Sequence, residues 1–218
     1  QIGYMYWRYL MWNFTGRQND IQGEYNVLNG NWISGIPILD ELRLGNQSEL
    51  PEDALNNKAR NTYYFLPFIL GLIGLYFIYQ RDPKRFWVLL LFFLFTGLAL
   101  KVYLNERPFE PRERDYALVG SYYVFALWIG FGSWAIIQKL QTLISKKIAG
   151  PLAVGLCLVC VPLLMASQNW DDHDRSNRYT AQSMAKSYLQ SIQRDKGAII
   201  FTIGDNDTID PWNARAIA

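Results

Sequence analysis

The chain alternates between polar and strongly apolar territory: a mixed opening, then four apolar runs separated by short polar connectors, then a polar tail. A helix that crosses a bilayer needs about 20 predominantly apolar residues. The runs at 62–79, 86–104, 117–138 and 148–167 approach that length, so four spans are expected. Tyr63, Tyr64, Tyr76 and Tyr79 flank the first, and Tyr116, Tyr122 and Tyr123 mark one end of the third, as a membrane–water interface favours. Lys101 falls near the end of the second run, where its stem can lie along apolar surface while its ammonium snorkels to the headgroups.

The connectors give a topology. Residues 80–85, QRDPKR, and 139–147, which hold three lysines and no acid, are short and basic, and the positive-inside rule puts them in the cytoplasm. The connector 105–116, the opening 1–61 and the tail from Gln168 then lie on the other side. The domain reading follows: an extracytoplasmic or interfacial segment 1–61, a membrane domain 62–167, and the start of an extracytoplasmic soluble domain 168–218. Residues 1–14, QIGYMYWRYLMWNF, read either as the end of an earlier span or as a helix lying in the interface. Residues 15–61, rich in Asn, Gly, Gln and Asp, read as a long irregular loop.

In the tail a helix is expected after Asp174 or Ser176 as cap. Its apolar face would be Ala181, Ala185, Tyr188, Leu189 and Ile192. A strand 198–203 and a turn follow, and Asp210-Pro211 fits the start of another helix. The fold class is therefore mainly α, a polytopic helical membrane domain leading into an α/β or helical soluble domain. A chain that opens at Gln1 and breaks off in what reads as the first turns of a helix is expected to be a piece of a longer protein.

Composition adds little to this picture. Half the residues are hydrophobic and 16% aromatic, while the mean hydropathy of -0.03 averages very apolar stretches with very polar ones. The net charge of +2, without a basic cluster interleaved with aromatics, gives no nucleic-acid surface. Cys157 and Cys160 have CxxC spacing but sit inside an apolar run without a second pair, so they read as small apolar residues.

Three polar clusters offer chemistry. The connector NERPFEPRERDY packs Arg107, Arg112 and Arg114 among Glu106, Glu110, Glu113 and Asp115, with Pro108 and Pro111 restricting the backbone. A guanidinium fork suits a phosphate, which at a membrane surface belongs to a lipid. The competing reading is a salt-bridge network that closes a helical hairpin. The second cluster, Asp171, Asp172, His173 and Asp174, offers a metal site or a general base, against a reading as helix capping with acids favoured at a helix N-terminus. The third, Asp205, Asn206 and Asp207, lies between a predicted strand and helix. It resembles the Asp-x-Asp signature that holds a divalent metal in nucleotide-sugar transferases, and turn chemistry explains it equally well. None of the three is assigned a metal.

The segments YMYWRYLMWNFTGRQNDIQG, PFEPRERDYALVGSYYVFALWIGFG, NWDDHDRSNRYTA and FTIGDNDT occur in that order. Together they resemble bacterial membrane proteins of the protein O-mannosyltransferase-like, GT-C type, glycosyltransferase family 117, long catalogued as a domain of unknown function. The resemblance implies an inner-membrane enzyme that takes a sugar, mannose, from a polyprenyl-type lipid-phosphate donor and passes it to Ser or Thr of exported proteins on the periplasmic side. Membrane lipid and exported acceptor proteins would be its partners, and a protein complex is compatible with it. The family's catalytic acid is expected upstream of Gln1. Two other classes stand beside this reading: a non-enzymatic scaffold for exported proteins, and a transporter of a lipid-linked precursor. The transporter ranks last, because ionisable residues deep inside spans are nearly absent.

Overall fold

The computed structural model describes residues 2–47, 49–107, 114–174, 176–177 and 179–191. The chain divides into two compact units, Gln1–Asp172 and His173–Ala218. The first is mainly α and is built on long apolar helices.

A π-helical turn, Ile2–Trp7, runs into α1, Arg8–Phe14. Strand β1, Gly16–Arg17, follows, then α2, Pro37–Leu44, the single turn α3, Glu52–Leu55, and strand β2, Asn61–Thr62. β1 and β2 pair antiparallel, Gly16 opposite Thr62 and Arg17 opposite Asn61. α4, Leu66–Arg81, is apolar but only 16 residues long. α5, Pro83–Leu94, a π-turn Phe95–Ala99 and α6, Leu100–Leu104, form one helix of 22 residues. A 3₁₀ turn, Asp115–Leu118, opens α7, Val119–Leu140. α8, Lys146–Leu158, a π-turn Val159–Leu163 and α9, Leu164–His173, form another continuous helix. Among the described residues three helices, Pro83–Leu104, Asp115–Leu140 and Lys146–Asp171, are long and apolar enough to cross a membrane.

The first expected span begins later than its hydropathy suggests. Thr62 is held in the β1–β2 pair, and Tyr64 and Phe65 adopt left-handed backbone (φ 54° and 58°) before α4 starts. Hydropathy registers apolar side chains and is blind to a strand pairing made with residues far upstream.

α4 and α7 form the central seam. Their buried positions repeat with the same spacing: Pro67, Leu70, Gly71, Gly74 and Ile78 on α4, and Ser121, Val124, Phe125, Trp128 and Gly132 on α7. A methyl group on Gly74 would collide with the Trp128 carbonyl oxygen, and one on Gly132 with that of Leu70. Small residues bring helix backbones together in this way where apolar burial alone does not favour one apolar partner over lipid. Phe125 lies at the centre of an aromatic core, with ring centroids 4.4 Å from Phe14 and 5.7 Å from Phe68. Cys157, buried, and Cys160, half-buried, belong to the α8 seam beside Leu70 and Val161, as small apolar residues would.

α1 is packed inside the unit, with Arg8, Tyr9, Leu10, Met11, Trp12 and Phe14 all buried. Tyr6, Leu10 and Phe14, at i, i+4 and i+8, join the aromatic core. Tyr4, Arg8 and Trp12, also at i, i+4 and i+8, face the loop. The Arg8 guanidinium lies 4.1 Å from the Tyr4 ring centre and 4.6 Å from that of Trp12, and its Nη1 donates to the Gly30 carbonyl at 2.9 Å. The loop that follows is irregular, as its composition implies, but it is tied together by side-chain amides. Gln18 and Asn19 are buried and hold the carbonyls of Val27 and Leu28 and the amides of Gly30 and Asn31.

In the second unit the helix is α10, Thr180–Gln190. Its cap is Tyr179, with no side-chain cap bond, rather than Asp174 or Ser176. Asp174 instead accepts from the Ser176 amide at 2.9 Å, a local turn that competes with helix initiation. The least exposed stripe is Gln182, Ala185 and Leu189, while Ala181 and Tyr188 are exposed. Ile192, the expected strand 198–203 and the Asp210-Pro211 start lie outside the described residues.

Candidate functional site: the polar end of the bundle

Helix direction alternates along the chain, so the start of α4, the end of α6, the start of α7 and the end of α9 share one end of the bundle. Hydrogen bonds tie the end of α9 to the residues that lead into α4. The Thr62 amide donates to Gln168 Oε1 at 2.6 Å, Asn61 Nδ2 to Asn169 Oδ1 at 2.9 Å, and Asn169 Nδ2 to the Tyr63 hydroxyl at 2.6 Å. The Tyr63 amide in turn donates to the Thr15 carbonyl, which anchors the end of α1. The opposite end carries Arg81, Lys84, Arg85, Lys139, Lys146 and Lys147.

Beneath the polar end sits an ion pair. Lys101, fully buried, is bonded to Glu106, only 5% exposed. Five residues is an awkward spacing on a helix, and the chain solves it locally. Asn105 takes a left-handed conformation (φ 42°, ψ 40°) that ends α6 and folds Glu106 back over its last turn. Asparagine tolerates this region better than most residues. The Lys101 ammonium also lies 5.2 Å from the Tyr9 ring centre, and the Arg8 guanidinium lies 5.1 Å from the same ring. Tyr9 is therefore bracketed by two cations. Lys101 does not snorkel to headgroups, because a carboxylate and an aromatic face meet it inside the protein. Nearby, the hydroxyls of Tyr6 and Ser121 share a 2.7 Å hydrogen bond, and the buried Tyr122 hydroxyl has no partner among the described residues.

The connector emerges directly from this pair. Arg107 and Arg114 are exposed, and Asp115, half-buried, heads the 3₁₀ turn into α7. Arg112 and Glu113 lie outside the described residues. An exposed guanidinium group can take an oxyanion bidentately. A second arginine pair lies in the loop. Arg43 stacks 3.4 Å over the Trp32 ring and donates to its carbonyl at 2.8 Å. Burial pushes the Arg43 and Arg60 guanidinium groups below the ordinary arginine value, and the charge of Asp40 opposes that shift for both.

The acidic cluster is not at a helix start. Asp171 and Asp172 occupy the last turn of α9 and His173 ends it, because no breaker interrupts the helix that continues from the apolar run. Acids in that position oppose the helix dipole, so N-terminal capping does not account for them. Asp171, His173 and Asp174 are exposed, and His173 and Asp174 belong to the second unit. Among the described residues no three His, Cys, Asp or Glu side chains gather as metal ligands would. Asp205, Asn206 and Asp207 lie outside the described residues. Tyr9, Gln168 and Asn169 carry no role in the sequence analysis, although Asn169 opens the segment that holds the acidic cluster. For Tyr9, the legible signal was an aromatic residue beside the one arginine in an otherwise apolar segment.

Residues 181–217 match the family described as TMEM260-associated domain 2. The match begins within α10 and runs to the penultimate residue of the chain. Neither a curated protein nor a solved structure matches the chain.

Proposed function

We propose that this chain is part of a membrane glycosyltransferase that moves a sugar from a lipid-phosphate donor to Ser or Thr of exported proteins at the polar end of the bundle. The observation that carries the reading is convergence. Parts of three of the four segments on which the family resemblance rests, within residues 4–23, 114–132 and 169–172, belong to the first unit and are linked there. Residues 4–23 join 108–132 through Tyr6 and Ser121. Asn169, which opens the third segment, holds Asn61 and Tyr63. The fourth segment falls within the stretch that matches TMEM260-associated domain 2, which supports a glycosyltransferase-related role.

In this mechanism the acceptor hydroxyl attacks the anomeric carbon, a carboxylate takes its proton, and the lipid phosphate departs with the bonding electrons. Arg107 and Arg114 stabilise the charge that develops on the departing phosphate, together with Arg112 of the same connector. The basic connectors at the other end support a cytoplasmic placement there, so the reaction faces the periplasm.

The test is made in the full-length protein in its native membrane. Deleting the gene removes hexose-sized increments from exported glycoproteins by intact mass spectrometry, and the wild-type gene restores them. An Arg107→Ala/Arg114→Ala double variant, present at wild-type level, lowers the transfer rate by about 10²-fold or more. Unchanged glycoforms on deletion would replace the transferase by a scaffold for exported proteins.

A further inference from the structure

α2 presents an apolar face that stands exposed among the described residues. Asp40 and Leu44, at i and i+4, point inward. The Asp40 carboxylate accepts from the Ser34 amide at 2.9 Å, the Gly35 amide at 2.7 Å and the Ser34 hydroxyl at 3.1 Å, while Leu44 is 9% exposed. With that side clamped, Ile38 and Leu42 point the opposite way, two positions round the helix. They are 73% and 82% exposed, with Leu39 beside them at 44%. An isolated exposed leucine needs no explanation, but a helix whose apolar stripe faces outward does.

The height of α2 indicates what meets that stripe. The Tyr64 amide donates to the Ser34 carbonyl at 2.9 Å, which roots α2 beside the first turn of α4. α4 and α5 share the tight turn at Asp82, so both start from one level at the basic end. From there α4 rises 16 residues, and the continuous α5–α6 helix rises 22. At 1.5 Å per residue α4 stops about 9 Å lower, and its own length of about 24 Å falls short of the ~30 Å hydrocarbon core. At the height α4 leaves unfilled, α6 still shows Val102 (57% exposed) and Leu104 (38%) to its surroundings.

We infer that α2 is an interfacial helix, lying in the bilayer surface at the polar end with Ile38, Leu39 and Leu42 in the boundary between headgroups and acyl chains. It fills the height that α4 lacks, and its partner is lipid. The inference rests on the bundle spanning a bilayer and is independent of the transferase reading.

Site-directed spin labelling tests it. The full-length protein, in a background free of native cysteines, is labelled singly at Leu42→Cys, Ile38→Cys, Glu52→Cys or Val154→Cys and reconstituted into phosphatidylcholine vesicles. Collision rates with oxygen, which concentrates in lipid, and with a water-soluble nickel chelate are compared. Oxygen is expected to exceed nickel several-fold at Leu42 and Ile38, as at Val154 on α8, with the reverse at Glu52. Nickel dominating at Leu42 and Ile38 while Val154 remains in lipid would place the face in water and overturn the inference. Protection from both reagents would overturn it too, since a protein surface would then cover α2. Nickel access at Val154 would overturn the membrane placement itself.

Discussion

Helix α1 and the continuous α8–α9 helix make an instructive contrast. α1 contains an arginine, three aromatic residues and an asparagine in seven positions, yet six of the seven are buried. The Lys146–Asp171 helix has the highest mean hydropathy of the candidate spans, 2.4, yet only 22% of its most apolar window is buried. Leu152, Val154, Leu156 and Leu163 point away from the protein. In water this pattern would be inverted, because burial there follows hydrophobicity. In a bilayer, lipid receives leucine as readily as protein does, so the interior goes to side chains that need a particular partner. Tyr9 between two cations, Lys101 on Glu106 and Arg8 on Trp12 are such side chains. The α8 contact is left to the small residues Ala149, Ala153 and Cys157.

Three perturbations sharpen the contrast. The largest effect is expected at the ion pair. Lys101→Met removes the cation that meets the buried Glu106 carboxylate and costs about 3–5 kcal/mol, read as a fall in thermal stability of the detergent-solubilised protein. Adding Glu106→Leu recovers a large part of that loss. A double variant as unstable as the single one would mean that the interior tolerates the charge and needs the bond itself. Arg8→Met comes next. It keeps the stem but removes the stacking on Tyr4 and Trp12 and the bond to Gly30, for about 2 kcal/mol. Hydrogen exchange should then quicken across residues 18–31, and unchanged exchange would show that Gln18 and Asn19 hold the loop alone. The smallest effect belongs to α8, where Leu152→Ala should stay within about 0.5 kcal/mol. A loss of about 2 kcal/mol or more would show that the outward face of α8 packs on protein rather than lipid.

The apolar runs made the long helices legible, since run length is the property a bilayer selects. What stayed hidden depended on contacts distant in sequence. Thr62 reads as the first residue of a span until Gly16 pairs with it. Lys101 reads as an interfacial lysine until Asn105 turns the chain and brings Glu106 onto it. Asp171 and Asp172 read as the start of a helix because acids favour that end, whereas continuity from the apolar run places them at its finish. Of the candidate site, Arg107 and Arg114 stand exposed in the connector. Gln168 and Asn169, which fasten the loop to the bundle, gave no signal of their own, because amides beyond the end of an apolar run are unremarkable until their partners are known.

The π-turn at Phe95–Ala99 adjusts the phase of the second span. A π-turn accommodates one residue more than an α-turn and so advances everything beyond it by about 100° around the axis. Lys101 lies on the advanced portion. On an uninterrupted α-helix the same lysine would point about a quarter-turn away from Tyr9, along an azimuth not set by the aromatic core. The screw offset at residues 95–99, as much as the charge at 101, is what turns an intramembrane lysine inward.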